Sequence, residues 1–184
     1  GRRLTLVSAP ARFGKTTLLS KWVNAGDRAV AWLSLDEGDN DPVQFLRYLI
    51  AALQGVNSSI GRAAQQLLQS PQMPPAPRLA VSLINDVTAA SQPLTLVLDD
   101  YHLILYPAVQ QLVQFLLENQ PPLMHIALST REDPPLPLPR LRARGQVTEV
   151  RERELRFTVK EAAAFLNQTM GLALSPETVA ALET

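Results

Sequence analysis

The chain has 184 residues, the length of one ordinary domain with room for a small appendage, and can bury a substantial core. Lysine plus arginine and aspartate plus glutamate stand at 17 each, so no overall field directs it to nucleic acid, an anionic membrane or a polyanionic partner. It has no cysteine, which excludes disulfides, thiolate nucleophiles and cysteine-held metal sites and fits an intracellular location.

Leu4–Ser8 is a short apolar run of β type. It gives way to a Pro- and Gly-containing loop and then to Leu18, Leu19, Trp22 and Val23 at helical spacing, so it predicts strand, loop and helix. Residues 29–35 read as a second buried strand, and Asp41-Pro42 supplies an N-cap and first helical position for Val43, Leu46, Leu49, Ile50 and Leu53. A Pro-rich break at residues 71–77 precedes a helix over roughly 79–89. Residues 94–98 form an aliphatic run ending in Asp99-Asp100, followed by Val109, Leu112, Val113 and Leu116 at helical spacing.

The uncharged stretch 101–117 is broken by Pro107 and carries Gln110, Gln111 and Gln114, marking soluble core, not a membrane span. Residues 123–128 make a fourth strand, closed by Ser129-Thr130-Arg131. A proline-rich connector over 132–139 leads to a fifth strand at 147–150. Thr158-Val159-Lys160-Glu161 is a capping box opening a helix, and Ser175-Pro176 starts another. Near-continuous apolar strands alternating with helices predict a three-layer α/β fold: a mainly parallel sheet of about five strands covered on both faces, with a short C-terminal helical appendage. The division falls between a domain at 1–157 and the start of a helical segment at 158–184.

Ala9-Pro10-Ala11-Arg12-Phe13-Gly14-Lys15-Thr16 lies between the first strand and the first helix and matches a phosphate-binding loop. A chance match to such a pattern in a chain this long has a probability on the order of one per cent. In a loop of this kind backbone N–H groups wrap the phosphates, Lys15 adds positive charge at the β and γ positions and the Thr16 hydroxyl ligates magnesium. Gly14 admits close approach of the backbone, and Thr17 begins the helical turn that adds further donors. Ala9 stands where the first glycine is usual, and Arg12 at a position that is often glycine. With positive φ, Arg12 carries strain of about 1 kcal/mol, while its guanidinium is also long enough to reach a phosphate oxygen. The run into Asp99-Asp100 looks like a Walker B segment, with Asp99 holding the magnesium shell through water and Asp100 orienting or deprotonating the attacking water. Arg131 is either a γ-phosphate sensor or an ordinary charged strand terminus.

Other groupings carry less. The acids of residues 36–41 do not have calcium-loop spacing and read as a solvated turn and helix cap. His102 and His125 lack metal-type neighbours in sequence, and Arg140, Arg142 and Arg144 form either an anion-binding strip or a solvated basic loop.

Taken together the segments resemble the large MalT-like, LuxR-family ATP-dependent transcriptional regulators of the STAND class, over essentially the whole chain. The carrying phrases begin with Arg3-Leu4-Thr5-Leu6-Val7-Ser8-Ala9-Pro10-Ala11, Phe13-Gly14-Lys15-Thr16-Thr17, Ala31-Trp32-Leu33-Ser34-Leu35-Asp36 and Leu98-Asp99-Asp100-Tyr101-His102. They continue with the segment from Ser129-Thr130-Arg131 to Pro137, Leu141-Arg142-Ala143-Arg144-Gly145-Gln146 and Glu154-Leu155-Arg156-Phe157-Thr158. Ala9 agrees with that family and Arg12 departs from its usual glycine.

The resemblance implies a cytoplasmic ATP/ADP switch that needs Mg2+, self-associates in its ATP state and hydrolyses slowly to reset. It also implies further segments outside this chain: a lead that encloses adenine, a winged helix, a helical-repeat sensor for an inducer and a C-terminal helix-turn-helix for DNA. Without the lead, weak nucleotide binding is expected. The alternatives are a small-molecule kinase, whose arginine lid would have to come from Arg140 to Arg144, and a non-catalytic interaction domain with a degenerate loop.

Overall fold

The structure, a computed structural model, describes residues 2–70 and 74–156. The helix starts at Thr158 and Ser175 and the division at 157/158 lie outside the described residues. Five strands, β1 (Leu4–Ser8), β2 (Ala29–Ser34), β3 (Leu94–Asp99), β4 (Met124–Thr130) and β5 (Val147–Arg151), form one sheet. Its order is β2-β3-β4-β1-β5 and every pairing is parallel.

Although the strands are apolar almost throughout, they sort by period two. Leu4, Leu6, Leu94, Leu96, Leu98, Ile126 and Leu128 join the larger core, whereas Val7, Val97 and Ala127 join the smaller one on the other face. The larger core is roofed by α2 (Pro42–Val56), α3 (Arg62–Leu68), α4 (Ala76–Ala90) and α5 (Pro107–Asn119). The smaller face carries α1 (Lys15–Asn24), which buries Leu19 and Val23. Both faces are covered, but unequally. Trp22, counted on the apolar face of α1 from its spacing, is 42% exposed and meets the His125 ring edge-on at 5.8 Å.

Two helices not expected from the sequence are α3 and α6 (Leu138–Ala143); a single turn, α7 (Glu152–Leu155), follows β5. In α3 the short repeat that buries Ala64 and Leu68 is too brief to stand out among glutamines. The proline-rich connector ends in α6, because Leu138-Pro139 fills its first turn, where a missing N–H costs nothing. Arg140 and Arg142 are therefore helix, not loop, and Arg144 is the C-cap of α6. Arg140 lies 3.7 Å from Glu118, and Arg142 bridges Asp133 at 3.2 Å and Glu149 at 2.8 Å.

Candidate functional site

In a parallel sheet, ligands collect beyond the carboxyl ends of the strands. Here β1, β4 and β3 are neighbours, so the segments following each of them converge at one edge. Residues 9–14 leave β1 as the predicted loop, anchored by the Ala9 N–H on the Thr130 carbonyl at 3.2 Å. Arg12 and Gly14 take positive φ, 70° and 69°. Of the two consequences open for Arg12, the backbone strain is realised.

Gly14 is the N-cap of α1, and among the described residues no side chain accepts from the first N–H groups of that helix, nor does an acidic residue occupy its first turn. An uncapped helix start of this kind presents donors and a positive dipole end to an anion. The backbone at Gly14 has nothing within 4 Å of where a Cβ would stand, so its requirement for glycine comes from φ. Lys15 is buried, and its Nζ donates to the Pro10 carbonyl at 2.9 Å. Burial pushes its amine below the usual lysine value, with Arg131 adding to that and Asp100 and Asp99 opposing it.

Asp99 ends β3 and is buried, while Asp100 steps into the left-handed region at φ 58° and is half-buried. Ser129 on β4 ties both: its hydroxyl donates to Asp99 Oδ1 and accepts the Asp100 N–H at 2.9 Å. Thr130 turns its hydroxyl to the Glu132 carbonyl at 2.9 Å, and Arg131 is exposed. A cavity of about 270 Å3 is lined by Ala11, Arg12, Gly14, Lys15, Thr16, Asp100 and Arg131. Three cations and an uncapped helix start thus face one acid across an open space, a donor set that fits a polyphosphate. For magnesium, the exposed Thr16 hydroxyl and the Asp99–Asp100 pair supply the hard oxygens such an ion takes. Ala9 and Asp99 are buried and do not line the cavity; Pro10, Phe13 and Thr17 belong to the loop and first helical turn without lining it.

Ser129 is legible in the sequence only as part of the polar and cationic strand end at residues 129–131, and His102 only as a structural histidine. His102 stands with Nδ1 3.8 Å from Asp100 Oδ1, and neither ring nitrogen has a hydrogen-bond partner among the described residues. Burial holds its pKa below the ordinary value, helped by the charges of Arg131 and Lys15 and opposed by Asp100 and Glu132. Beyond it opens a larger groove of about 750 Å3, between residues 37–42 and 102–107. Asn40 braces this groove. Its Nδ2 donates to the carbonyls of Glu37 and Leu103, and its Oδ1 accepts the N–H groups of Leu105 and Tyr106. The acids nearby act as caps, with Asp36 on a 3-10 turn and Asp41 on α2. No group of three or more metal-type side chains occurs among the described residues. Nor is any helix among them long and apolar enough to cross a membrane.

No protein-family model matches the sequence. It is 37% identical over 174 residues to the HTH-type transcriptional regulator MalT of Cronobacter sakazakii, covering 95% of this chain and 19% of that protein. The regulators of the same description from Klebsiella pneumoniae and Serratia proteamaculans are 39% and 41% identical over 165 residues, 90% of this chain and 18% of theirs. The chain thus spans about a fifth of the length of the curated relatives it matches.

Among solved structures, Cdc6p from Pyrobaculum aerophilum superposes with a TM-score of 0.50 at 13% identity, over 81% of this chain and 39% of that one. The Aeropyrum pernix Orc1 protein, solved in complex with DNA, gives 0.51 at 12% identity, over 92% and 44%. At such identities the likeness shows the fold alone, which is the P-loop NTPase fold. Sequence and architecture agree: the chain has the P-loop NTPase fold and is homologous to a segment of those MalT transcriptional regulators.

Proposed function

We propose that this chain is the ATP-binding, slowly hydrolysing switch domain of a signal-responsive transcriptional regulator, and that its nucleotide state governs self-association. The observation that carries this reading is the convergence of the uncapped start of α1, Lys15, the Asp99–Asp100 pair and Arg131 at one sheet edge. Lys15 exchanges the Pro10 carbonyl for the β- and γ-phosphates, and Arg131 meets the γ-phosphate. Thr16 and Asp99 hold magnesium, and Asp100 orients the attacking water, taking its proton. Magnesium when bound neutralises charge on the phosphate oxygens. Slow turnover suits a timer better than a metabolic enzyme.

The regulators to which the chain is similar are named HTH-type transcriptional regulators, which supports DNA binding by other parts of a longer protein; inducer sensing by those parts and a cytoplasmic location complete the proposal. A kinase finds less support, because Arg140 and Arg142 are engaged with Glu118, Asp133 and Glu149 and so offer no free lid over phosphates. The test is calorimetry of ATP and ADP binding to this chain, with light scattering of the full-length regulator as ATP replaces ADP. Binding that depends on Lys15 and growth of the assembly in ATP are expected. Nucleotide binding indifferent to Lys15→Ala, or an assembly indifferent to nucleotide, overturns the reading.

A further inference from the structure

The two acids at the end of β3 do not hold themselves in place. Asp99 is buried at 3% exposure and Ser129, beside it on β4, at 0%. The Ser129 hydroxyl has one proton and it goes to Asp99 Oδ1; the oxygen in turn accepts the Asp100 N–H at 2.9 Å. That second bond secures the left-handed turn at Asp100, a conformation a non-glycine residue keeps only when its surroundings hold it. Because β4 lies between β3 and β1, with Ser129 in register with Val7, one side chain in the middle of the site sets both acids relative to the phosphate loop.

We infer that Ser129 is the positioning residue of the metal-binding edge, its single hydroxyl orienting the Asp99 carboxylate and fixing the turn that aims Asp100. The inference rests on the nucleotide reading above. With Oδ1 committed to Ser129, Asp99 Oδ2 accepts no hydrogen bond from any described residue and is the oxygen left for the water shell of a divalent cation. Replacing Ser129 by alanine strips a buried carboxylate of its donor and a backbone N–H of its acceptor, so both acids lose their set orientation while the phosphate loop keeps all its own groups. Groups that orient a metal's ligands without touching the metal commonly change its affinity by about tenfold or more.

The experiment measures ATP affinity by calorimetry, once with Mg2+ and once with EDTA, for the parent chain, Ser129→Ala and Ser129→Thr. Affinity in EDTA is expected to agree within about twofold across the three. The gain in affinity that Mg2+ confers is expected to fall about tenfold in Ser129→Ala and to be retained in Ser129→Thr, which keeps the hydroxyl. General loosening of the fold would lower both affinities together and leave their ratio unmoved. Should Ser129→Ala fail to melt cooperatively, Ser129→Cys, a weak donor of similar shape, replaces it with the same loss expected. An unchanged Mg2+ gain in Ser129→Ala or its cysteine substitute overturns the inference while leaving the nucleotide reading intact. ATP binding that is absent from the parent, or untouched by Lys15→Ala, overturns that reading and the assignment of Ser129 with it.

Discussion

The Lys15 ammonium donates to the carbonyl oxygen of Pro10 in its own loop, 2.9 Å away. A neutral carbonyl is a weak partner for a buried cation, and burial already lowers the lysine pKa. A phosphate oxygen would be a stronger one. Lys15→Ala is therefore expected to lower ATP affinity by a factor of about a hundred or more while changing folding stability by no more than about 1 kcal/mol. Calorimetry and urea denaturation of the same preparation separate the two effects; a variant that merely unfolds contradicts this account.

Arg12 departs from the usual glycine and sits at φ 70°, lining the same cavity as Lys15. Strain and charge then pull apart under mutation. Arg12→Gly should stabilise the fold by up to about 1 kcal/mol through relief of the left-handed residue. It should also weaken ATP binding about threefold to tenfold through loss of a cation. Melting curves and nucleotide titrations moving in opposite directions support this, and tighter binding in the glycine variant contradicts it.

Both histidines are held below their ordinary value of 6.5, principally by burial. His125 is locked between Thr5 Oγ1, 2.9 Å from Nε2, and the Arg2 carbonyl, 3.3 Å from Nδ1, an arrangement that suits the neutral ring with its proton on Nδ1. When a base has a lower pKa folded than unfolded, the unfolded chain takes up the proton first as pH falls. Stability is therefore complete above the unfolded value and declines below it, from about pH 7 towards pH 5. Asp39, raised by burial, acts in the opposite sense. Asp133, held low by Arg151 and Arg142, and Glu149, held low by Arg142 and Arg151, lose their contribution only further down, in the carboxylate range. Urea midpoints of the parent and of a His102→Gln, His125→Gln double variant should diverge in slope across that window, the variant being the flatter; parallel curves would count against the histidine account.

Asp41 accepts the N–H groups of Val43 and Gln44 at 2.9 and 2.8 Å, closing the start of α2. Asp41→Ala should cost about 1 kcal/mol. Calcium should leave the melting temperature of the parent unchanged, since these acids serve as caps; a calcium-dependent rise would reinstate a metal site at residues 36–41.

Much of this molecule was legible along the chain. The five strands, the phosphate loop with Lys15 and Thr16, and the acids closing β3 all follow from local signals: apolar runs long enough for a strand, a glycine before a lysine, a charge where a hydrophobic run stops. Such signals are local because hydrophobic period, capping and backbone freedom act over a few residues. The order β2-β3-β4-β1-β5 was not local, since it depends on which strand buries which neighbour, and with it came the facts that no spacing reveals. Ser129 bonds Asp99 and Asp100 from 30 and 29 residues away, Asn40 braces Leu105 and Tyr106 from 65 and 66, and Arg142 turns from a basic strip into an ion-pair partner of Asp133 and Glu149. Sequence by itself determined the class of fold and the glycine-containing loop between β1 and α1. Only the tertiary structure decided which hydroxyl bonds both acids, which arginines are held in ion pairs and which side chains are braces, because a hydrogen bond forms at about 3 Å in space, however far apart its partners lie in the chain.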